Sequence, residues 1–128
     1  MDLAPRRYAE VALVQPRGRI DHATVQAFDD ALDPVLAEMA DGSALVVDLS
    51  ALEYISSVGL RSFMLAERQL RERQARLLVT GLHGVVREIF AISRFDRVLT
   101  VAATVDDALA QCSDAARSAR ASASERSA

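Results

Sequence analysis

Four consecutive apolar residues, Ala44-Leu45-Val46-Val47, constrain this chain more than any other feature. A continuous apolar run of this kind predicts a strand buried on both faces. Such a strand needs a layer above it and a layer below it, and the flanking sequence supplies helices. Val25, Phe28, Leu32, Leu36 and Met39 recur at spacings of three and four, which makes one apolar stripe of an amphipathic helix. Asp21 precedes that helix and suits its N-cap, because a carboxylate accepts the orphan N–H groups of a first turn. Pro34 predicts a kink or break near Leu32-Asp33, and Asp41-Gly42-Ser43 ends the element. Beyond the apolar run a second helix is expected from about Ser57. Leu60, Phe63, Met64 and Leu70 would face inward, and Arg61, Ser62, Arg68, Arg71 and Arg73 outward. Glu67 and Arg71 form an i,i+4 pair on it.

The remaining segments complete an alternation. Tyr8 to Val14 predicts a first strand. Pro16 and Gly18 mark a turn, and a short strand at Arg19-Ile20 would close an opening hairpin. Ala51 to Ile55 reads as a connection, Ala75 to Thr80 as a third apolar strand and Gly81-Leu82-His83-Gly84 as a loop. Val85, Val86, Ile89 and Phe90 predict a short helix, Val98 to Val101 a strand and Val105 to Gln111 a last helix. The expected class is α/β, a single domain with a mixed central sheet of four to five strands flanked by about four helices. Residues 1–7 would be an N-terminal extension and 8–112 the domain. Residues 113–128, composed of Ala, Ser and Arg with no large apolar side chain, would form a disordered tail.

Composition excludes several classes. Fifteen basic residues against eighteen acidic ones give a net charge of −3, which argues against a strongly basic nucleic-acid binder. No apolar run reaches the roughly 18–20 residues of a membrane helix. No apolar stretch follows Arg6-Arg7 as a signal peptide would require. Cys112 is the single cysteine and has no partner for a disulfide, so the expected compartment is the cytoplasm.

The segment from Asp48 to Arg61 is where chemistry could reside. A buried strand leads through a loop to Ser56, Ser57 and Gly59 at the start of an amphipathic helix. Free N–H groups and the positive end of the helix dipole meet there, a place suited to an anion, including phosphate. Two readings stand at this point. Either serine could simply be an N-cap, with Gly59 a packing accommodation. Alternatively, one of the serines is a phosphoacceptor, and Gly59 keeps the first turn open for a partner to approach.

Several short motifs occur in a telling order. They are Gly18-Arg19-Ile20-Asp21, Val46-Val47-Asp48-Leu49-Ser50 and Tyr54-Ile55-Ser56-Ser57-Val58-Gly59-Leu60-Arg61. Gly81-Leu82 with Val85 and Val86, Phe95-Asp96 and Asp107-Ala108-Leu109 follow. Together they resemble the STAS domain of bacterial anti-sigma factor antagonists, over about residues 8 to 112. The resemblance implies a mixed sheet flanked by helices and a binding protein rather than an enzyme. Its unphosphorylated form would bind an anti-sigma factor that is a serine kinase, freeing a sigma factor. Phosphorylation would reverse the binding, and a serine phosphatase would reset it. ATP would belong to the partner kinase, and the chain itself would carry no cofactor and no metal. The alternative within the same fold is a regulatory module of a transport or other signalling assembly.

Laid on this chain, the family's Asp-Ser-Ser/Thr-Gly-Leu motif pairs with Ser56-Ser57-Val58-Gly59-Leu60. The phosphoacceptor then maps to Ser57, with Ser56 as the alternative, and Asp21 to the acidic residue that opens the first helix. The implied contact surface comprises Asp21, Ser56, Ser57, Gly59 and Arg61. Ser56 replaces the usual Asp and Val58 a second hydroxyl residue. Arg94 stands where many members end a helix with glycine, so that terminus needs another cap or a left-handed arginine.

Other candidates are weaker. His22 and His83 lack partners at metal-ligand spacing. Ser57, His83 and Asp21 could be assembled into a hydrolase triad on paper, but Ile55-Ser56-Ser57-Val58-Gly59 is not a Gly-x-Ser-x-Gly elbow. Gly81-Leu82-His83-Gly84 lacks the lysine and glycine density of a phosphate-binding loop. Arg61, Arg68, Arg71, Arg73 and Arg76 read as a solvated face that could instead meet an acidic partner.

Overall fold

The computed structural model describes residues 1–127. The central sheet has five strands, β1 (Arg6–Tyr8), β2 (Val11–Val14), β4 (Ala44–Asp48), β6 (Arg76–Thr80) and β7 (Thr100–Ala102). Their order is β1-β2-β4-β6-β7, antiparallel between β1 and β2 and parallel elsewhere. A second, two-stranded parallel sheet joins β3 (Gly18–Ile20) to β5 (Leu52–Ile55). Among the described residues six helices surround the sheets: α1 (Val25–Glu38), α2 (Ser57–Glu72), α3 (Gly84–Ser93), the single turn α4 (Phe95–Val98), α5 (Val105–Cys112) and α6 (Asp114–Ser127).

The apolar run does what its pattern predicts. Strand side chains alternate between faces. Leu45 and Val47 of β4 enter a core with Phe28 of α1, Phe63 of α2 and Phe90 of α3. Ala44 and Val46 enter a separate core on the opposite face with Ala108 and Leu109 of α5 and Ala116 of α6. Phe28 and Phe63, with ring centroids 5.4 Å apart, join α1 to α2.

The structure corrects several expectations. The opening hairpin lies within the segment read as one strand. Ala9, at φ 55°, turns the chain so that β1 folds back on β2, and Ala-Glu carries none of the usual turn residues. Arg6 and Arg7 therefore belong to the sheet, and Leu3 is buried, so residues 1–7 are built into the domain. The Ala51–Ile55 connection contains β5, whose Leu52 and Ile55 are fully buried. Helix α1 runs unbroken through exposed Pro34, because Leu32, Val35 and Leu36 anchor it on both sides of that residue. The strand expected from Val98 begins at Thr100 and is preceded by α4. On α2 the buried residues are Gly59, Leu60, Ser62, Phe63, Ala66 and Leu70. Met64 lies about 100° round the helix from Phe63 and is 38% exposed, while Ser62 turns inward.

The tail differs most. Residues from Asp114 form α6, which packs against α5 and β1. Small side chains suffice for this: Ala116 is fully buried and Ala119 partly so, over Tyr8, Val11 and Leu13. The Ser113 hydroxyl donates to Glu10 and holds that carboxyl below its ordinary range, while Arg120 pairs with Asp106 at 2.6 Å. Arg94 takes the left-handed conformation (φ 63°) at the end of α3, the second of the two outcomes its position allowed.

Candidate functional site

The β3–β5 sheet delivers both halves of the site. Its parallel register sets Arg19 beside Tyr54 and Ile20 beside Ile55. The Ser56 N–H then donates to the Ile20 carbonyl at 2.9 Å, so the chain entering α2 runs next to the chain entering α1. Asp21 and the pair Ser56-Ser57 are thereby brought together from positions thirty-five residues apart in sequence.

Each strand end then turns into a helix. At Asp21, Oδ1 accepts from the Ala23 and Thr24 N–H groups at 3.0 and 3.2 Å, and the Asp21 N–H donates to Thr24 Oγ1 at 2.9 Å. This reciprocal arrangement makes the turn before α1, whose N-cap is Thr24. Asp21 thus caps as its residue type suggests, one turn earlier than the helix proper. Desolvation alone would raise the Asp21 carboxyl. The donors from Ala23, Arg19 and Thr24 outweigh it and hold the group below the usual aspartate range.

Ser56 and Ser57 separate sharply. Ser56 occupies the N-cap of α2 in an extended conformation, but its side chain makes no cap hydrogen bond, and its Oγ is buried with no partner among the described residues. Ser57 is the first residue of α2 and is exposed. The first-turn N–H groups of α2 are therefore left uncapped by Ser56, next to the exposed Ser57 hydroxyl, with the helix dipole behind them.

Gly59 faces inward. A Cβ there would stand 2.7 Å from Ile20 Cγ2 and 2.7 Å from Ile55 Cγ1. Its place in the expected contact surface is corrected accordingly, because it lets α2 close onto the β3–β5 sheet and offers no surface to a partner. The Arg61 guanidinium, on the exposed side of α2, makes no ion pair or hydrogen bond among the described residues.

Arg19 also belongs to the site. Its guanidinium lies 4.5 Å from the centre of the Tyr54 ring and its Nε is 3.4 Å from Asp21 Oδ2. Only the strand register brings it to Tyr54. The motifs Asp48-Leu49-Ser50 and Gly81 prove to be one structural joint. Asp48 Oδ1 accepts from the Ser50 N–H at 3.0 Å, and Gln15 Nε2 donates to Asp48 Oδ2 at 3.0 Å and to Ser50 Oγ at 3.1 Å. Both histidines are exposed, and no group of three or more His, Cys, Asp or Glu among the described residues is placed to hold a metal ion. No helix among the described residues is long and apolar enough to cross a membrane.

The family described as "Mlab, STAS domain" matches residues 4–101, which include every residue of this site. The chain belongs to the STAS domain family. The anti-sigma-F factor antagonist RsfB of Mycobacterium tuberculosis is 30% identical over 99 residues, covering 77% of this chain and 79% of RsfB. The putative anti-sigma factor antagonist BtrV of Bordetella bronchiseptica is 47% identical over 58 residues, covering 45% of this chain and half of BtrV. A solved anti-sigma factor antagonist from Mycobacterium paratuberculosis superposes with a TM-score of 0.75 at 29% identity, covering 86% of this chain and 92% of that one. The matched residues run from β1 to the start of β7 and include the start of α2.

Proposed function

We propose that this STAS protein is an anti-sigma factor antagonist, a binding module without cofactor, switched by phosphorylation at Ser57. The unphosphorylated form binds an anti-sigma factor that is also a serine kinase, and a sigma factor is released. The kinase transfers the γ-phosphoryl group of its ATP to Ser57 Oγ, leaving ADP, and the complex dissociates. A serine phosphatase returns the chain to its binding form. These events belong to the cytoplasm.

The observation that carries the reading is the contrast between the two serines. Ser57 Oγ is offered to solvent at an uncapped helix start, whereas Ser56 Oγ is buried. This favours Ser57 over Ser56 as acceptor. The names of RsfB and BtrV support an anti-sigma factor as the partner. The contact surface in this reading comprises Asp21, Ser57 and Arg61 with the exposed side of α2.

A phosphate adds about −1.5 to −2 charge and three acceptor oxygens. The helix N-terminus accommodates that charge, so the fold persists. At the centre of an interface the same group must be desolvated and repels acidic side chains of the partner. A loss of about 3–4 kcal/mol weakens binding several hundred-fold, enough for a switch.

The test mixes the purified chain with candidate anti-sigma kinases of the same genome, with and without ATP, followed by mass mapping. One phosphate on Ser57 and loss of the complex are expected. Ser57→Ala should stay bound in the presence of ATP, and Ser57→Asp should not bind. Phosphate mapped to another residue, or binding indifferent to Ser57→Asp, overturns the reading. Recovery of transporter subunits in place of a kinase would favour a STAS regulatory module of a transport assembly.

A further inference from the structure

We infer that Arg61 is the built-in counterion of phosphorylated Ser57, so that modification withdraws a cation from the exposed face as well as a hydroxyl. The inference rests on the phosphorylation switch proposed above and extends it to the residue that receives the phosphate.

Ser57 and Arg61 are four residues apart on α2, and both are exposed. Residues at that spacing share a helix face with Cβ atoms about 5–6 Å apart, and an anion on the N-terminal side of the cation is the favourable order. A guanidinium presents donors that match a phosphate's oxygens in pairs. Arg19, on the neighbouring strand, is held by Asp21 and the Tyr54 ring. Arg71, fourteen residues along α2, is about 21 Å down the axis and held by Glu67 at 2.8 Å. Arg68 is unengaged among the described residues, but it lies eleven residues along α2, about 16 Å down the axis. Among the arginines of α2, Arg61 alone combines an unengaged guanidinium with reach to Ser57.

Its neighbourhood explains why a counterion matters. The segments around the start of α2 carry Arg19, Asp21, Glu53, Tyr54 and His83 besides Arg61, while α3, packed on β5, adds Arg87 and Glu88, and α1, packed on α2, adds Asp29, Asp30 and Asp33. Asp21 already spends its hydrogen bonds on Arg19, Thr24 and Ala23, and its negative charge repels a phosphate. Arg61 offsets that repulsion without disturbing the Asp21 turn. A partner acid that pairs with Arg61 in the unmodified chain loses that pair once the phosphate claims it.

The test places phosphoserine at position 57 co-translationally, so no kinase is needed, and follows its second ionisation by phosphorus NMR. The pKa should lie about 0.2–0.4 unit lower in the wild-type background than with Arg61→Gln or Arg61→Ala. Arg61→Lys should keep most of the shift, and Arg68→Gln should leave it unchanged. Thermal melts identify any variant that fails to fold, and the two neutral replacements back each other up. Equal values in wild type and both neutral variants overturn the inference. That outcome leaves the phosphorylation switch standing, which fails separately if a kinase leaves Ser57 unmodified.

Discussion

Gly59 lies so close to Ile20 that a Cβ built on it would stand 2.7 Å from the Ile20 Cγ2. The same Cβ would meet Ile55 Cγ1 at 2.7 Å, so the start of α2 is wedged against the ends of both strands of the small sheet. These contacts fix where Ser57 is presented, without Gly59 touching anything outside the molecule.

Gly59→Ala tests the wedge. Within a helix the change alone would gain about 1 kcal/mol. Here the two isoleucines, fully buried, have little room to yield, and overpacking costs about 1–3 kcal/mol. Net destabilisation is expected in urea denaturation. A variant as stable as, or more stable than, wild type would show that the wedge is soft.

Gly81 is held more severely. At φ 75° its Cβ would lie 2.6 Å from Asp48 Oδ1 and 2.7 Å from the Ser50 backbone nitrogen. Gly81→Ala combines a left-handed alanine, about 1–2 kcal/mol, with a clash against backbone. Gly42 has a similar φ of 77° but open space around it, so Gly42→Ala should cost only the conformational part. Thermal melts of the two variants should rank Gly81→Ala clearly lower, and equal melting temperatures would contradict the Asp48–Gly81 joint.

The depressed Asp21 carboxyl links stability to pH. A group whose folded pKa lies below its unfolded value stabilises the fold above the ordinary aspartate range, near pH 4. That contribution disappears as pH falls through the depressed folded value. Denaturation midpoints should therefore decline from neutral pH into acid, and Asp21→Asn should flatten part of the decline below about pH 4. An unchanged acid slope in Asp21→Asn would place the sensitivity elsewhere.

Helix α6 should behave as part of the domain. Removing everything after Ser113 uncovers the sheet face at Tyr8 and Leu13 and breaks the Arg120–Asp106 pair. Its buried surface is mostly alanine methyls, so the expected loss is modest, about 1–2 kcal/mol. Circular dichroism should show the lost helix, and hydrogen exchange should show faster exchange at Tyr8. A truncated chain with native stability and exchange would mean that α6 only rests on the surface.

Local pattern carried much of this protein. The Ala44–Val47 run required cover on both faces, the stripe from Val25 to Met39 required α1, and the serine-glycine sequence after Tyr54 marked a helix start. Those readings depend on periodicity and residue type, which act over a few residues. Tertiary structure decided what depends on distant partners. Leu52–Ile55 is a strand because Gly18–Ile20 lies beside it, and α6 is a helix because its few alanines meet the face of β1 and α5. The same pairing, through the Ser56 N–H on the Ile20 carbonyl, sets Asp21 and Arg19 beside the start of α2. It also leaves Ser56 Oγ buried and Ser57 exposed, a distinction that two adjacent, chemically identical side chains cannot announce in sequence.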